Sequence, residues 1–281
     1  MKKVLSIIIP CFNHGKYISE TLDSIKESDT KNVCEIIIIN DGSTDAYTLE
    51  VLNTISDPNI RIINQENQGL AGARNKGIVE SKCEYLLMLD SDNKITTDFI
   101  DTFLALQAEG QEFDMLHGDA LFFDERQGLF KSGPLEIFKI FRSNYIDACS
   151  IIRKESLIEL GKYDDQMPYM GWEDWDLWIR MALNNKRTIY SEKIFFHYRY
   201  SSDSMIRVIG HKEEETKQYL IKKYKNQLLD FFYLDQILTN IVEKNIDKIG
   251  IKKTIQILNQ KIMSRIFKRK SIPIKIDKLW L

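Results

Sequence analysis

Hydrophobic periodicity changes repeatedly along the first ninety or so residues. Val4–Ile9 is a continuous apolar run with β-branched residues, the pattern of a strand buried on both faces. Lys16–Glu27 follows with Ile18, Leu22 and Ile25 on one helical stripe. The alternation continues with a strand at Glu35–Ile39, a helix at Asp45–Ile55 and a strand at Ile60–Ile63. A helix at Gly69–Glu80 and a strand at Tyr85–Leu89 complete it. Strand and helix in turn at this spacing predict right-handed βαβ units and a parallel sheet.

Beyond residue 92 the pattern loosens. It predicts helices at Thr97–Glu109, Lys154–Gly161 and Glu173–Asn184, and strands at Met115–Phe123, Ala148–Ile152 and Ile194–Tyr198. Residues 212–268 read as helices with little Gly or Pro. The expected organisation is a catalytic domain over residues 1–205 and a basic helical extension over 206–281.

Composition adds a charge asymmetry. Of 281 residues, 43% are hydrophobic and 28% charged, as in a folded domain with a sizeable core. The net charge of -2 hides a tail, residues 251–281, at +8 and a body at -10. In that tail Lys268-Arg269-Lys270 lies among Ile262, Ile266 and Phe267, which suits an anionic membrane surface or a partner subunit. The acidic body and the lack of an aromatic-interleaved basic motif argue against nucleic acid. Cys11, Cys34, Cys83 and Cys149 form no CxxC pair and read as buried thiols of a reducing compartment. The apolar start is short, ends at Pro10 and is followed by no small-residue cleavage site, so a strand is expected there rather than a signal peptide. No apolar stretch approaches the ~20 residues of a membrane span. The expectation is a cytoplasmic protein with peripheral contact at the inner membrane face through its tail. Homo-oligomerisation stays open.

Ligands of a parallel sheet bind beyond the carboxyl ends of its strands. Four such ends carry acids and amides: Pro10-Cys11-Phe12-Asn13, Asn40–Asp45, Asn64–Gly69 and Asp90-Ser91-Asp92-Asn93. Asp45 is also explained as a helix N-cap. Asp-x-Asp spacing is weak by itself, because composition alone produces about two, and the chain has two, Asp90–Asp92 and Asp174–Asp176. Position strengthens the first: at the end of an extended strand residues 90 and 92 share a side, a hard oxygen site for Mn²⁺ or Mg²⁺. No Gly-rich phosphate loop is present, but Gly69–Asn75 opens a helix with Arg74 one turn in, suited to an anion. Glu173, Asp174 and Asp176 stand in the first turn of a helix, where the dipole favours acids, and Asp176 can pair with Arg180. Tyr169 and Trp172 read equally as sugar-stacking rings and as core.

Together Ser6–Asn13, Asn40–Asp45, Gly69–Asn75 and Asp90-Ser91-Asp92 resemble the family 2 glycosyltransferases of the GT-A fold, over roughly residues 4–205. The resemblance implies an inverting enzyme with a nucleotide-sugar donor, most simply UDP-linked, and a glycan or lipid-linked acceptor. It implies Asp41 on the nucleobase, Asp90 on ribose or donor sugar, and Asp92 as the metal ligand. Pro10 and Asn13 would line the nucleotide pocket, with Gly69, Arg74 and Ser91 also on the donor side. Asp174 would be the general base, with Glu173 its alternative. Arg199 and His197 are phosphate or metal contacts by the same match. Asn40 departs from the family, many of whose members have Asp there. A sugar nucleotidyltransferase would want a Gly-rich, basic loop after the first strand, which Pro10–His14 does not supply. A non-catalytic sugar-nucleotide-binding subunit is the third reading.

Overall fold

The computed structural model describes residues 4–28, 34–201 and 210–227. These fall into two compact units that divide at Glu213/Glu214. The expected boundary near 205 and the basic tail lie outside the described residues.

In the first unit, four parallel strands run side by side in the order β3 (Ile60–Gln65), β2 (Cys34–Asp41), β1 (Leu5–Cys11), β4 (Tyr85–Met88). The central pair β1 and β4 is buried at every position, while the edge strand β3 is only half-buried. This explains the unbroken apolar runs: a strand covered on both faces has no polar side. Each fully buried Ile of β1 contributes about 1.5–3 kcal/mol.

Helices α1 (Gly15–Glu27), α2 (Ala46–Thr54) and α3 (Gly69–Glu80) make the crossovers. The stripe Ile18, Leu22, Ile25 of α1 faces inward, as its spacing predicts. Asp45 caps α2, accepting from the Thr48 amide at 2.8 Å. Gly77 of α3 lies directly on Ile8 of β1, and an added Cβ would overlap the Ile8 Cγ2 methyl. That contact sets how closely α3 seats on the sheet.

The sheet then changes direction. Strand β8 (Ile151–Arg153) pairs antiparallel with β4, and β6 (Met115–Asp124) pairs antiparallel with β8. Strand β9 (Thr188–Tyr200) runs parallel to β6. The two-residue β5 (Lys94–Ile95) pairs with β9, and β7 (Gly128–Phe130) hairpins onto β6. Helices α4 (Thr97–Ala108), α5 (Ile137–Arg142), α6 (Lys154–Glu159) and α7 (Glu173–Leu183) complete this unit. Sequence periodicity places α4, α6 and α7 within a residue or two; β5, β7 and α5 are additions. The strand expected from Ala148 starts at Ile151, because the Asp147 side chain accepts from the Cys149 amide and holds residues 147–150 in a turn. Cys11, Cys83 and Cys149 are buried free thiols.

Helix α8 (Glu213–Lys223), whose last ten residues belong to the second unit, is the only α-helix described there. Among the described residues no helix is long and apolar enough to cross a membrane.

Candidate active site

The ends of β1, β2, β3 and β4 meet at one edge, and each brings the side chains that the sequence points to. Asp41 ends β2 and is 3% exposed. Its Oδ1 accepts from Gln65 Nε2 at 2.6 Å and from the Gln68 amide at 2.9 Å. Gly42 follows with a φ of +71° and the Asn67 amide at its back, a close approach that only glycine permits. Asn40 holds Asn64 and accepts from the Ser43 amide, so it stabilises the turn beside Asp41.

Asn13 is in the left-handed region, at φ +56°. Its side chain accepts from the Thr44 and Asp45 amides and donates to Thr44 Oγ1. It therefore ties the turn after β1 to the turn after β2. Pro10 is an internal, buried residue of β1 one step before this turn.

Asp90 and Asp92 sit in a turn and not on the extended strand that the sequence pattern predicts. The last sheet bond is from the Leu89 amide to Ile8, and then the Asp90 carbonyl accepts from the Asn93 amide and closes a turn. The turn, not strand alternation, brings the two carboxylates together. Burial, aided by the charge of Asp90, pushes the Asp92 carboxyl up to about 7. Between them Ser91 Oγ faces His14 Nδ1 at 2.9 Å, and its carbonyl accepts from Thr21.

Arg74 is 2% exposed, on the first turns of α3. One guanidinium nitrogen donates to Asp90 at 2.6 Å and another to Glu173 at the start of α7. Burial would lower its pKa, yet the charges of Asp90 and Glu173 raise it. Arg74 is thus a clamp between two carboxylates inside the site. Gly69, at φ +74°, opens the same helix and packs near Met170.

Glu173 and Asp174 are adjacent but differently employed. Glu173 is consumed by Arg74 and by the Gly171 amide. Asp174, 7% exposed, accepts from Asn144 at 3.0 Å and from the Trp175 amide. Burial, with the charges of Glu173 and Asp147, raises its pKa well above the ordinary carboxylate range. Asp176 pairs with Arg180, as its spacing predicts. Trp172 is buried against Trp175, their ring centres 5.8 Å apart, which favours the core reading of that ring.

Arg199 and His197 lie on β9, and Arg199 reaches the Asp90–Asp92 turn. The Arg199 guanidinium reaches the Asp92 carbonyl, Asp124 and Glu20, each at 3.0 Å, and its backbone amide donates to Asn93. It braces the Asp90–Asp92 turn from behind. His197 lies opposite Lys94 in the ladder and near Phe123. Burial and the Lys94 charge lower its pKa. Among the described residues no group of three or more His, Cys, Asp or Glu side chains is placed to hold a metal, so His197 completes no such set.

Two residues that the sequence reading passed over belong here. Asp147, half-buried in the turn before β8, feels the charges of Asp90, Arg74 and Asp92. Tyr198, on β9 beside Arg199, feels those of Asp147, Asp90, Asp92 and Asp174. No motif marks either one.

The mostly parallel sheet with helices packed around it and an acidic edge at its strand ends is the α/β architecture expected of the GT-A type. A model of glycosyl transferase family 2 matches residues 6–161, more than half of the chain, which therefore belongs to that family. The glycosyltransferase GlyA of Streptococcus pneumoniae is 32% identical over 225 residues, 73% of this chain and 32% of GlyA. GlyG of the same organism is 35% identical over 133 residues, 46% of this chain and 43% of its own. The chain thus spans less than half the length of these two relatives. An uncharacterised glycosyltransferase of Haemophilus influenzae is 26% identical over 73% of this chain and 79% of its own. In structure, S. aureus TarS (residues 1–349, solved with UDP-GlcNAc) aligns with a TM-score of 0.63 at 21% identity, covering 94% of this chain and 73% of that one. That likeness is one of fold.

Proposed function

We propose that the protein is an inverting glycosyltransferase that moves a sugar from a nucleoside diphosphate donor, UDP-linked as in the ligand of TarS, to a hydroxyl of a glycan or lipid-linked acceptor. The observation that carries this reading is the clamp of Arg74 between Asp90 and Glu173. It sets the donor turn and the start of α7 on either side of one buried cation.

Asp41, with Gln65 and Gln68 fixing one oxygen, keeps its other oxygen for a nucleobase N–H. Asp90 and Asp92 suit a divalent cation on the donor diphosphate. Two like-charged carboxylates share a turn in which Arg74 pairs with Asp90, and burial holds Asp92 near protonation. When bound, that cation would neutralise the departing diphosphate.

Asp174 is the base. It takes the proton of the acceptor hydroxyl as that oxygen bonds to the anomeric carbon, and the bond from that carbon to phosphate oxygen breaks with its electron pair going to the diphosphate. Its raised pKa favours this role, and Glu173, spent on Arg74, is less free for it. The role of Arg74 and Arg199 is positioning.

The test is release of nucleoside diphosphate across a panel of sugar nucleotides, with Mn²⁺, with Mg²⁺ and with chelator. Expected are metal-dependent release with one donor class and losses of at least a hundredfold in Asp92→Asn and Asp174→Asn. No release from any donor, with acceptor extracts present, would overturn the reading.

A further inference from the structure

Arg199 holds Asp92 by its backbone and not by its charge. The guanidinium Nε donates to the Asp92 carbonyl at 3.0 Å. The Asp92 carboxylate has no ion pair and no hydrogen bond to another residue among the described ones. An arginine beside a carboxylate ordinarily takes it, because the planar fork matches two carboxylate oxygens. The two groups are near enough for the charge of Arg199 to act on Asp92. Something therefore keeps the fork turned away.

Two other carboxylates occupy its prongs. One terminal nitrogen donates to Asp124 Oδ2 and the other to Glu20 Oε2, each at 3.0 Å. The rings of Tyr17 and Phe123 lie 4.3 and 4.4 Å from the guanidinium carbon and restrict where it can move. Glu20, on α1, also takes Lys94 at 3.1 Å. Two carboxylates thus meet two cations, and the group is electrically closed without Asp92. Asp124 reaches Arg199 from the end of β6 at a φ of +77°, a backbone that a non-glycine residue seldom adopts and that its neighbours must hold. Asp90, the other acid of the turn, is already paired with Arg74. Asp92 is left as the carboxylate of the turn with no counter-ion bonded to it among the described residues.

We propose that Glu20 and Asp124 are positioning residues that hold Arg199 on the backbone of the donor turn and off the Asp92 carboxylate, so that this carboxylate stays open to the divalent cation of the donor. The proposal rests on the donor reading above. Without the two acids, a buried guanidinium needs new acceptors, and Asp92 is beside it. An Arg199–Asp92 pair would then compete with the cation for the same oxygens. The consequence has a distinctive sign: loss of the acids weakens metal-dependent binding, and loss of the arginine in that background strengthens it again. A merely structural brace would show the opposite, since each further deletion would add damage.

The experiment is calorimetric titration of the full chain with UDP, in Mn²⁺ and in chelator. Wild type is compared with Glu20→Gln, Asp124→Asn, the two together, and the two together with Arg199→Met. Glu20 and Asp124 are 50% and 41% exposed, so these neutral isosteres leave the core intact. Expected is roughly a tenfold loss of UDP affinity in Mn²⁺ for the double variant, a smaller loss for each single one, and affinities in chelator within about twofold of wild type. Adding Arg199→Met should recover a large part of the loss in Mn²⁺. A triple variant that binds no tighter than the double one would overturn the proposal. So would wild-type affinity in the double variant, or an equal loss in chelator, which would mark the acids as general supports of the pocket. Wild-type protein that binds no nucleoside diphosphate in a wider panel, or binds it indifferently to Mn²⁺, would instead overturn the donor reading, and the proposal with it.

Discussion

Arg74 and Glu173, 99 residues apart in the chain, form an ion pair in which both side chains are almost fully buried. The same guanidinium holds Asp90. Removing it strands two carboxylates at once. Breaking a buried pair from one side costs about 3–5 kcal/mol. Arg74→Ala should therefore lower the melting temperature by roughly 10 °C, and Arg74→Lys, which cannot reach both acids in one plane, should recover only part of that. Thermal unfolding of the two variants checks this.

Asp174 makes an opposite prediction for stability. Its folded pKa lies above its unfolded value, so at neutral pH the folded protein carries a cost that a neutral side chain would lack. The Oδ1 that accepts from Asn144 and Trp175 is retained in Asp174→Asn. That variant should gain about 1 kcal/mol, roughly 2–4 °C, while losing transfer activity. In the wild type, the rising limb of kcat/KM against pH should lie above the ordinary carboxylate range, because the base acts only when deprotonated. A limb near pH 4 would contradict the assignment of the base.

His117 gives a pH dependence of another kind. It is 1% exposed on β6, neither ring nitrogen has a hydrogen-bond partner among the described residues, and burial lowers its pKa from 6.5 to about 4. Between those values the unfolded chain binds a proton that the folded one refuses. Its contribution is thus fully present above about pH 6.5 and falls away toward pH 4, by about 3 kcal/mol in all. Raised carboxyls elsewhere act in the other sense, so the comparison needs a variant. Denaturant midpoints at pH 7 and pH 4.5 should differ less in His117→Leu than in wild type.

Gly77→Ala tests the seat of α3. Alanine improves helix propensity by about 1 kcal/mol, but the new methyl would press on Ile8 at the centre of β1. Overpacking of this kind costs about 1–3 kcal/mol, so a net loss is expected in chemical denaturation. Ile8→Ala should cost less in the Gly77→Ala background than alone, the signature of a shared contact.

The parts legible in the sequence were those that depend on local period. Strands β1, β2 and β4 are covered on both faces and so read as unbroken apolar runs, and α1 and α7 carry clean stripes. Strand β7 and helix α5 are three and six residues long, too short for a period to emerge. At the site, Asp41 and Asp90 were visible because strand ends are where side chains converge. The roles of Arg74 and Arg199 were not, since each depends on partners up to 179 residues away. Asp147 carries no motif at all. The antiparallel pairing of β8 with β4 brings its turn to the end of β4.

That reversal has an evolutionary consequence. Residues 144–150 join the Asp174 carboxylate to the Met88 backbone with no slack in between. A single inserted residue inside it would shift one of these two anchors relative to the other. Insertions and deletions among descendants of this protein should therefore avoid this stretch.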